Sequence, residues 1–101
     1  MTFINIESLK KLTDVIKPIH DLELSIGFCI GLNIIKYIDM ENIENPFGDI
    51  NINISNEYIN IRTNMDDNWL GIFSEICRDC YITKHLTFKK KIINGGKVIE
   101  I

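Results

Sequence analysis

Two cysteines three residues apart, Cys77 and Cys80, are the residues whose type and spacing most directly suggest chemistry. A Cys-X-X-Cys pair can cycle between dithiol and disulfide when it begins a helix, where the helix dipole lowers the thiol pKa. In this chain the pair ends a helical pattern, so the dipole opposes the thiolate. The context disfavours redox catalysis and favours a structural role, with two small apolar side chains on one helix face.

The same pair could also contribute to a zinc site. Cys77, Cys80 and His85 would supply three ligands, with Cys29 or His20 as the fourth. Structural zinc usually takes two closely spaced ligand pairs, and this chain has one. We therefore predict no metal and no other cofactor. Three cysteines without a secretory signal further predict free thiols in a reducing cytoplasm.

Catalytic residues other than cysteine are equally hard to identify. His20 and Asp21 are adjacent and could orient a general base, but neighbouring residues rarely present their side chains to each other, so a turn or cap is favoured. His85 lies in a strand-like segment, and the carboxylates show no spacing that distinguishes an acid–base pair. Because no nucleophile, base and orienting group come together, we predict that the protein is not an enzyme.

Charge is distributed unevenly along the chain, although the net charge is only −3. One basic residue, Arg62, stands among seven acidic residues, which are Asp39, Glu41, Glu44, Asp49, Glu57, Asp66 and Asp67. If the loop at 39–49 and the hairpin tip at Glu57 lie together, they form a negative patch suited to a basic partner. Solvated loops are the alternative interpretation.

The end of the chain is basic, with five lysines and no acid from Lys84 to Lys97. Lys89, Lys90 and Lys91 could contact phosphate, but arginine and a stacking platform of aromatic residues are lacking. Lysines on a terminal hairpin more often protect an edge strand from aggregation. We predict no nucleic-acid partner and, because no apolar run approaches the roughly 18 residues that span a bilayer, no membrane insertion.

The elements that must position these residues follow from hydrophobic periodicity. With 101 residues, 46% hydrophobic and 25% charged, the chain is expected to form one domain over 1–101. Strict alternation from Leu22 to Ile34 predicts a strand, bent at Gly27 or Gly31. The remaining predicted elements are a short strand at 2–6, a helix from Ser8 to about Lys17, a hairpin at 50–61, a helix at 69–80 capped by Asp66 or Asp67, a strand at 81–93, a turn at Asn94–Gly96 and a strand at 97–101.

These elements predict an α+β fold, a mainly antiparallel β-sheet with two helices packed on it. The segment from Pro18 through His20 and Asp21 to Leu24, leading into alternating residues, resembles the opening of small immunity proteins of bacterial polymorphic-toxin and contact-dependent growth inhibition systems. That resemblance implies a non-enzymatic protein that binds a cognate toxin domain, often a nuclease with a cationic active site, and blocks it. It further implies that the acidic residues make the contacts, first Asp39, Glu41, Glu44, Asp49 and Glu57, and next Asp66 and Asp67. An alternative is a homo-oligomeric phage or mobile-element accessory protein that assembles, for example as a homodimer, through the edge at Lys97–Ile101.

Overall fold

The computed structural model describes residues 1–11, 21–80 and 88–101. Its elements are β1 (Thr2–Ile4), α1 (Ile6–Lys10), α2 (Leu22–Glu41), β2 (Ile50–Ser55), β3 (Tyr58–Thr63), a 3-10 helix (Asp67–Trp69), α3 (Leu70–Asp79), β4 (Lys89–Asn94) and β5 (Lys97–Glu100).

The five strands form one sheet in the order in which they occur along the chain. Three neighbouring pairs are antiparallel, and only β3 and β4 run parallel. That parallel pair needs a crossover, which contains the 3-10 helix and α3. Helix α2 packs on β1 and β2 and also contacts α3, so the two long helices share one face of the sheet. The predicted α+β class, with a mainly antiparallel sheet and two helices packed on it, is confirmed.

The prediction of a strand from Leu22 to Ile34 is wrong, because this segment begins the 20-residue helix α2. Asp21 caps the helix by accepting a hydrogen bond from the backbone N–H of Leu24 at 3.0 Å. The buried isoleucines recur every four residues, at Ile26, Ile30, Ile34 and Ile38. Residues four apart are also separated by a multiple of two, so the apolar residues of this helical stripe also fit the alternation expected of a strand. The 20 residues of the helix span about 30 Å. That length fits a domain 36 Å across, whereas the same residues in an extended strand would be about twice as long.

Other local predictions agree with the described structure. The hairpin of β2 and β3 is confirmed, with Asn56 and Glu57 at positive φ in its two-residue turn. The helix after Asp66 and the turn between β4 and β5 are confirmed as well. The first helix begins earlier than predicted, because Asn5 rather than Ser8 is its N-cap. The predicted continuation of that helix to Lys17, and the first part of the strand predicted at 81–93, lie outside the described residues.

The core lies between the helices and the inner face of the sheet. Near the end of α2, the core contains Phe47. This residue is fully buried although it belongs to the loop before β2. Tyr37, Trp69 and Phe73 each place a ring 5.8 Å from the Phe47 ring. Aromatic pairs at this separation add stabilisation beyond the area that they bury. Phe47 thereby fixes the loop that follows α2, and this loop positions several of the acidic residues considered below.

Candidate functional site

The seven acidic residues do not form one patch, because β2 separates them. Asp49 directly precedes β2 and Glu57 lies in the turn that follows it. The six residues of this strand place about 20 Å between its two ends. Glu57 also lies beside the lysine-rich strand, since its carbonyl oxygen accepts a hydrogen bond from the N–H of Lys89 at 2.9 Å. The other six residues belong to segments at the opposite end of the sheet.

Three of those six acids have no side-chain partner among the described residues. Asp39 and Glu41 lie in the last turn of α2, and Glu44 lies in the loop just after it. All three side chains are exposed, and none forms a hydrogen bond or ion pair with the part of the chain that the structure describes. We call Asp39, Glu41 and Glu44 the acidic corner.

The acidic corner lies at an electrostatically unfavourable place. The C-terminus of a helix carries a partial negative charge, which basic residues in the last turn normally compensate. The last turn of α2 has no basic residue and two acidic ones. The helix ends at Asn42, whose left-handed conformation (φ 54°) turns the chain so that the N–H of Ile43 donates to the carbonyl oxygen of Ile38 at 3.1 Å. The dipole and the carboxylates therefore reinforce one another in a strongly negative surface.

Two exposed apolar side chains lie among these carboxylates. Met40 is 71% exposed and Ile43 is 38% exposed, so the corner presents apolar surface beside its carboxylates. Lys36 lines a groove together with Met40, and Lys10 lines another with Ile43 and Glu44. Sequence reasoning missed both residues because it treated 39–49 as a polar loop. The recurrence of isoleucine at 26, 30, 34 and 38 was the signal that could have shown Met40 to be on the outer face of a helix.

The remaining acids at this end are engaged within the domain. Asp49 accepts hydrogen bonds at 3.3 Å from the Asn5 side chain and from the N–H of Ile6, at the start of α1. Asp66 caps the 3-10 helix by accepting from the N–H of Asn68 at 3.0 Å. Their carboxylates are exposed, yet each one holds a local structure in place.

Asp67 is engaged in the same way, through two contacts with the β4–β5 hairpin. It accepts a hydrogen bond from the Asn94 side chain at 3.3 Å and pairs with the Lys97 ammonium at 3.4 Å. Both members of the ion pair are more than half exposed, so the pair contributes little to stability. Asp67 is thus partly neutralised in the folded domain.

The cysteines differ from the prediction of free thiols. Cys29 in α2 and Cys80 after α3 form a disulfide, which links the two long helices. Cys77 lies outside that bond and is buried, and burial raises its pKa well above the ordinary thiol value. The disulfide therefore does not join Cys77 and Cys80, the two cysteines of the Cys-X-X-Cys motif. Among the described residues no three histidine, cysteine or acidic side chains gather as metal ligands, while His20 and His85 lie outside the described residues.

The lysines of β4 are partly engaged by an aromatic residue. Lys91 and Lys89 place their ammonium groups 4.6 Å and 5.9 Å from the centre of the Tyr58 ring. The Tyr58 hydroxyl donates a hydrogen bond to Glu100 at 3.0 Å, which raises the pKa of the tyrosine. Because two ammonium groups lie near its ring and its hydroxyl is hydrogen-bonded, Tyr58 does not offer a free ring for a nucleic-acid base to stack on.

Comparison with known proteins adds no identification. The chain matches no protein-family model, no curated protein and no solved structure. Within 1–11, 21–80 and 88–101, no helix has both the length and the apolar character needed to cross a bilayer. Functional inference therefore depends on the geometry of the domain itself.

Proposed function

We propose that this protein is a non-enzymatic binding module whose acidic corner recognises a basic surface on a partner protein. The observation that carries the proposal is the placement of Asp39 and Glu41 in the last turn of α2, where they oppose the helix dipole. Stability alone would favour lysine or arginine at these positions. A partner with positive charge would supply the missing compensation.

The partner that fits this corner is a toxin domain with a cationic active site, most simply a nuclease. Carboxylates can occupy the positions of substrate phosphates, and a negative corner accelerates association with a positive cleft. Met40 adds an exposed apolar side chain at the centre of the corner. Interfaces commonly combine such an apolar centre with a charged rim. In this proposal the protein acts as an immunity protein that occludes its cognate toxin.

The residues expected from the sequence to contact the partner divide into three groups under this proposal. Asp39, Glu41 and Glu44 make the primary contacts, because their carboxylates have no partners among the described residues. Asp49, Asp66 and Asp67 extend the negative surface but keep their structural hydrogen bonds. Glu57 lies at the far end of β2, outside the surface proposed for the partner.

A charge-matched pair of variants tests this assignment. Asp39→Lys combined with Glu41→Lys reverses the acidic corner. Glu57→Lys combined with Glu75→Lys makes the same change in net charge at two exposed acids elsewhere. Each variant and the wild type serve as bait in native cell lysate, with mass spectrometry of the retained proteins and a toxicity-rescue assay for any toxin found.

The expected result is one stoichiometric partner with a toxin domain, retained by the wild type and the control and lost from the corner variant. Its association rate should fall with added salt for the wild type and much less for the corner variant. Equal retention by both variants would disprove the assignment to the corner. Recovery of this chain alone would disprove the immunity function.

A further inference from the structure

Among the described residues, strand β5 forms one edge of the sheet and has β4 as its only strand neighbour. The N–H of Ile101 donates to the carbonyl oxygen of Lys90 at 3.0 Å. In an antiparallel pair the hydrogen-bonded positions alternate, so Lys97 and Ile99 also direct their backbone groups toward β4. The N–H and C=O groups of Val98 and Glu100 consequently point away from the sheet.

The charged side chains of β5 do not protect this edge. Lys97 is drawn back to Asp67 at 3.4 Å, and Glu100 accepts a hydrogen bond from the Tyr58 hydroxyl at 3.0 Å. Charged residues protect an exposed strand when they extend beyond the edge and oppose another strand. Here both charges are directed back to their own domain, while Val98 is 58% exposed. No strand in the part of the chain that the structure describes covers this edge, so there it is open to another strand.

We propose that two copies of this chain join edge to edge through β5, in antiparallel orientation, with Ile99 opposite Ile99 of the second copy. In this register Val98 faces Glu100 of the second copy, and both residues carry outward backbone groups. Each of the two equivalent pairs exchanges two hydrogen bonds. The result is one continuous sheet of ten strands around a two-fold axis.

The register is the reason to prefer a second copy as the occupant. A two-fold axis perpendicular to the sheet requires that residues of the same face lie opposite each other. With Ile99 on the axis, Lys97 faces Ile101 and Glu100 faces Val98, so no like charges are opposed. If the axis passed through Val98 instead, only the Val98 pair would bring together backbone groups that point away from their own sheets, within the described strand. The number of hydrogen bonds between the two copies would then be halved. The sequence of β5 is thus self-complementary in one register.

Sedimentation of the wild-type chain over micromolar to millimolar concentrations tests the association itself. Val98→Pro removes an N–H that points off the edge and leaves every bond to β4 in place, a position where edge strands tolerate proline. Val98→Thr is the matched control, since it keeps both the β-branched shape and the N–H. We expect a concentration-dependent dimer for the wild type and for Val98→Thr. Val98→Pro, with an unchanged circular dichroism spectrum, should associate roughly tenfold or more weakly.

A cysteine placed on the axis tests the register without depending on the folding of the proline variant. Residues opposite each other in a non-hydrogen-bonded pair have Cα atoms about 4.5 Å apart, close enough for a disulfide. Ile99→Cys should therefore form a covalent dimer under mild oxidation, and Val98→Cys should form far less. A wild type that remains monomeric at every concentration would overturn the proposal. A dimer in which Ile99→Cys does not cross-link would overturn it as well.

Discussion

The carboxylate of Glu23, in the first turn of α2, accepts a hydrogen bond from the backbone N–H of Ile54 in β2 at 2.8 Å. The register of β1 places Thr2 opposite Ile52, so β1 ends before it reaches Ile54. Glu23 supplies the acceptor that a longer β1 would otherwise have provided. The same carboxylate accepts from the Thr2 hydroxyl at 3.2 Å and pairs with the Met1 ammonium at 3.4 Å. One side chain thereby joins a helix to two strands.

This arrangement predicts a loss of stability in acid. The hydrogen bond from Ile54, followed by those of Thr2 and the amino terminus, lowers the pKa of Glu23 below 4.5, against the opposing effect of burial. A lowered folded-state pKa contributes stability that is present above 4.5 and lost as the pH falls through the folded-state value. The free energy of unfolding, measured by urea titration at decreasing pH, should therefore fall in that range as Glu23 becomes protonated.

Two substitutions separate the charge of Glu23 from its hydrogen bond. Glu23→Gln retains an oxygen that can accept from the N–H of Ile54, so it should remove the pH dependence at a small cost near neutral pH. Glu23→Ala removes the acceptor and should cost about 1–3 kcal/mol at neutral pH. If Glu23→Gln keeps the full acid sensitivity of the wild type, other carboxylates cause it.

The sequence predicts the fold class better than it predicts the elements. The hairpin of β2 and β3 and the helix α3 have unambiguous periods, and both are confirmed. The prediction for α2 is wrong because apolar residues at every second position fit two structures. They form one face of a strand, and every second one of them also forms the buried stripe of a helix. The two interior glycines of α2 were interpreted as strand bends, although they mark places where the helix contacts its neighbours closely.

Gly27 gives the clearest test of that close packing. A Cβ atom at this position would lie 2.7 Å from Cγ1 of the buried Ile4 in β1. Alanine normally stabilises a helix relative to glycine, but here the core must shift to admit one more methyl group. Gly27→Ala should therefore lower the free energy of unfolding by about 1–3 kcal/mol, as measured by urea denaturation.

The control for this experiment is Gly71, in the first turn of α3. A Cβ atom there meets nothing within 4 Å. Gly71→Ala should raise the free energy of unfolding by about 0.5–1 kcal/mol, because alanine has the higher helix propensity. Stabilisation by both substitutions would show that α2 does not approach β1 as closely as the structure has it.

The sequence predicts that the residues of the acidic corner are charged, but it does not predict where in the fold they lie. Asp39, Glu41 and Glu44 were among the residues expected to contact a partner, and they do lie close together along the chain. Their position at a helix C-terminus depends on α2, which alternation concealed. The separation of Glu57 from them follows from the length of β2, which lies between Asp49 and Glu57 in the predicted hairpin. Under the proposed function, the seven acids expected to contact the partner are reduced to three primary contacts.

The disulfide between Cys29 and Cys80 predicts that a reducing agent destabilises the oxidised protein. The two residues are 51 positions apart, so cross-linking them removes much of the freedom of the unfolded chain, worth about 2–4 kcal/mol. Reductant should lower the midpoint of thermal unfolding in the wild type and in Cys77→Ser. It should have no such effect on Cys29→Ser.

Counting thiols checks the same bond chemically. Of the three cysteines, one should be alkylated when the oxidised protein is unfolded, and all of them should be alkylated after reduction. In the folded protein Cys77 should react slowly, because it is buried and its pKa is raised. Three reactive thiols without reductant would contradict the pairing.

Asn94, at the end of β4, looks from sequence like part of a turn, but its side chain organises a buried network. Its amide oxygen accepts from the Thr63 hydroxyl at 2.9 Å and from the N–H of Met65 at 2.8 Å. Its amide nitrogen donates to the carbonyl oxygen of Met65 at 2.9 Å and to Asp67 at 3.3 Å. The residue thereby fixes the segment that leads from β3 to α3.

Replacing Asn94 should consequently cost more than replacing an ordinary turn residue. Asn94→Ala leaves the N–H and C=O of Met65 without partners in a buried site, and we expect it to lower the free energy of unfolding by about 2–4 kcal/mol. Asn64→Ala is the matched control, because that neighbouring asparagine is exposed and should change stability by less than about 0.5 kcal/mol. Urea denaturation followed by Trp69 fluorescence measures both. Similar small losses for the two variants would mean that the turn residues Gly95 and Gly96, rather than the Asn94 side chain, hold this end of the sheet together.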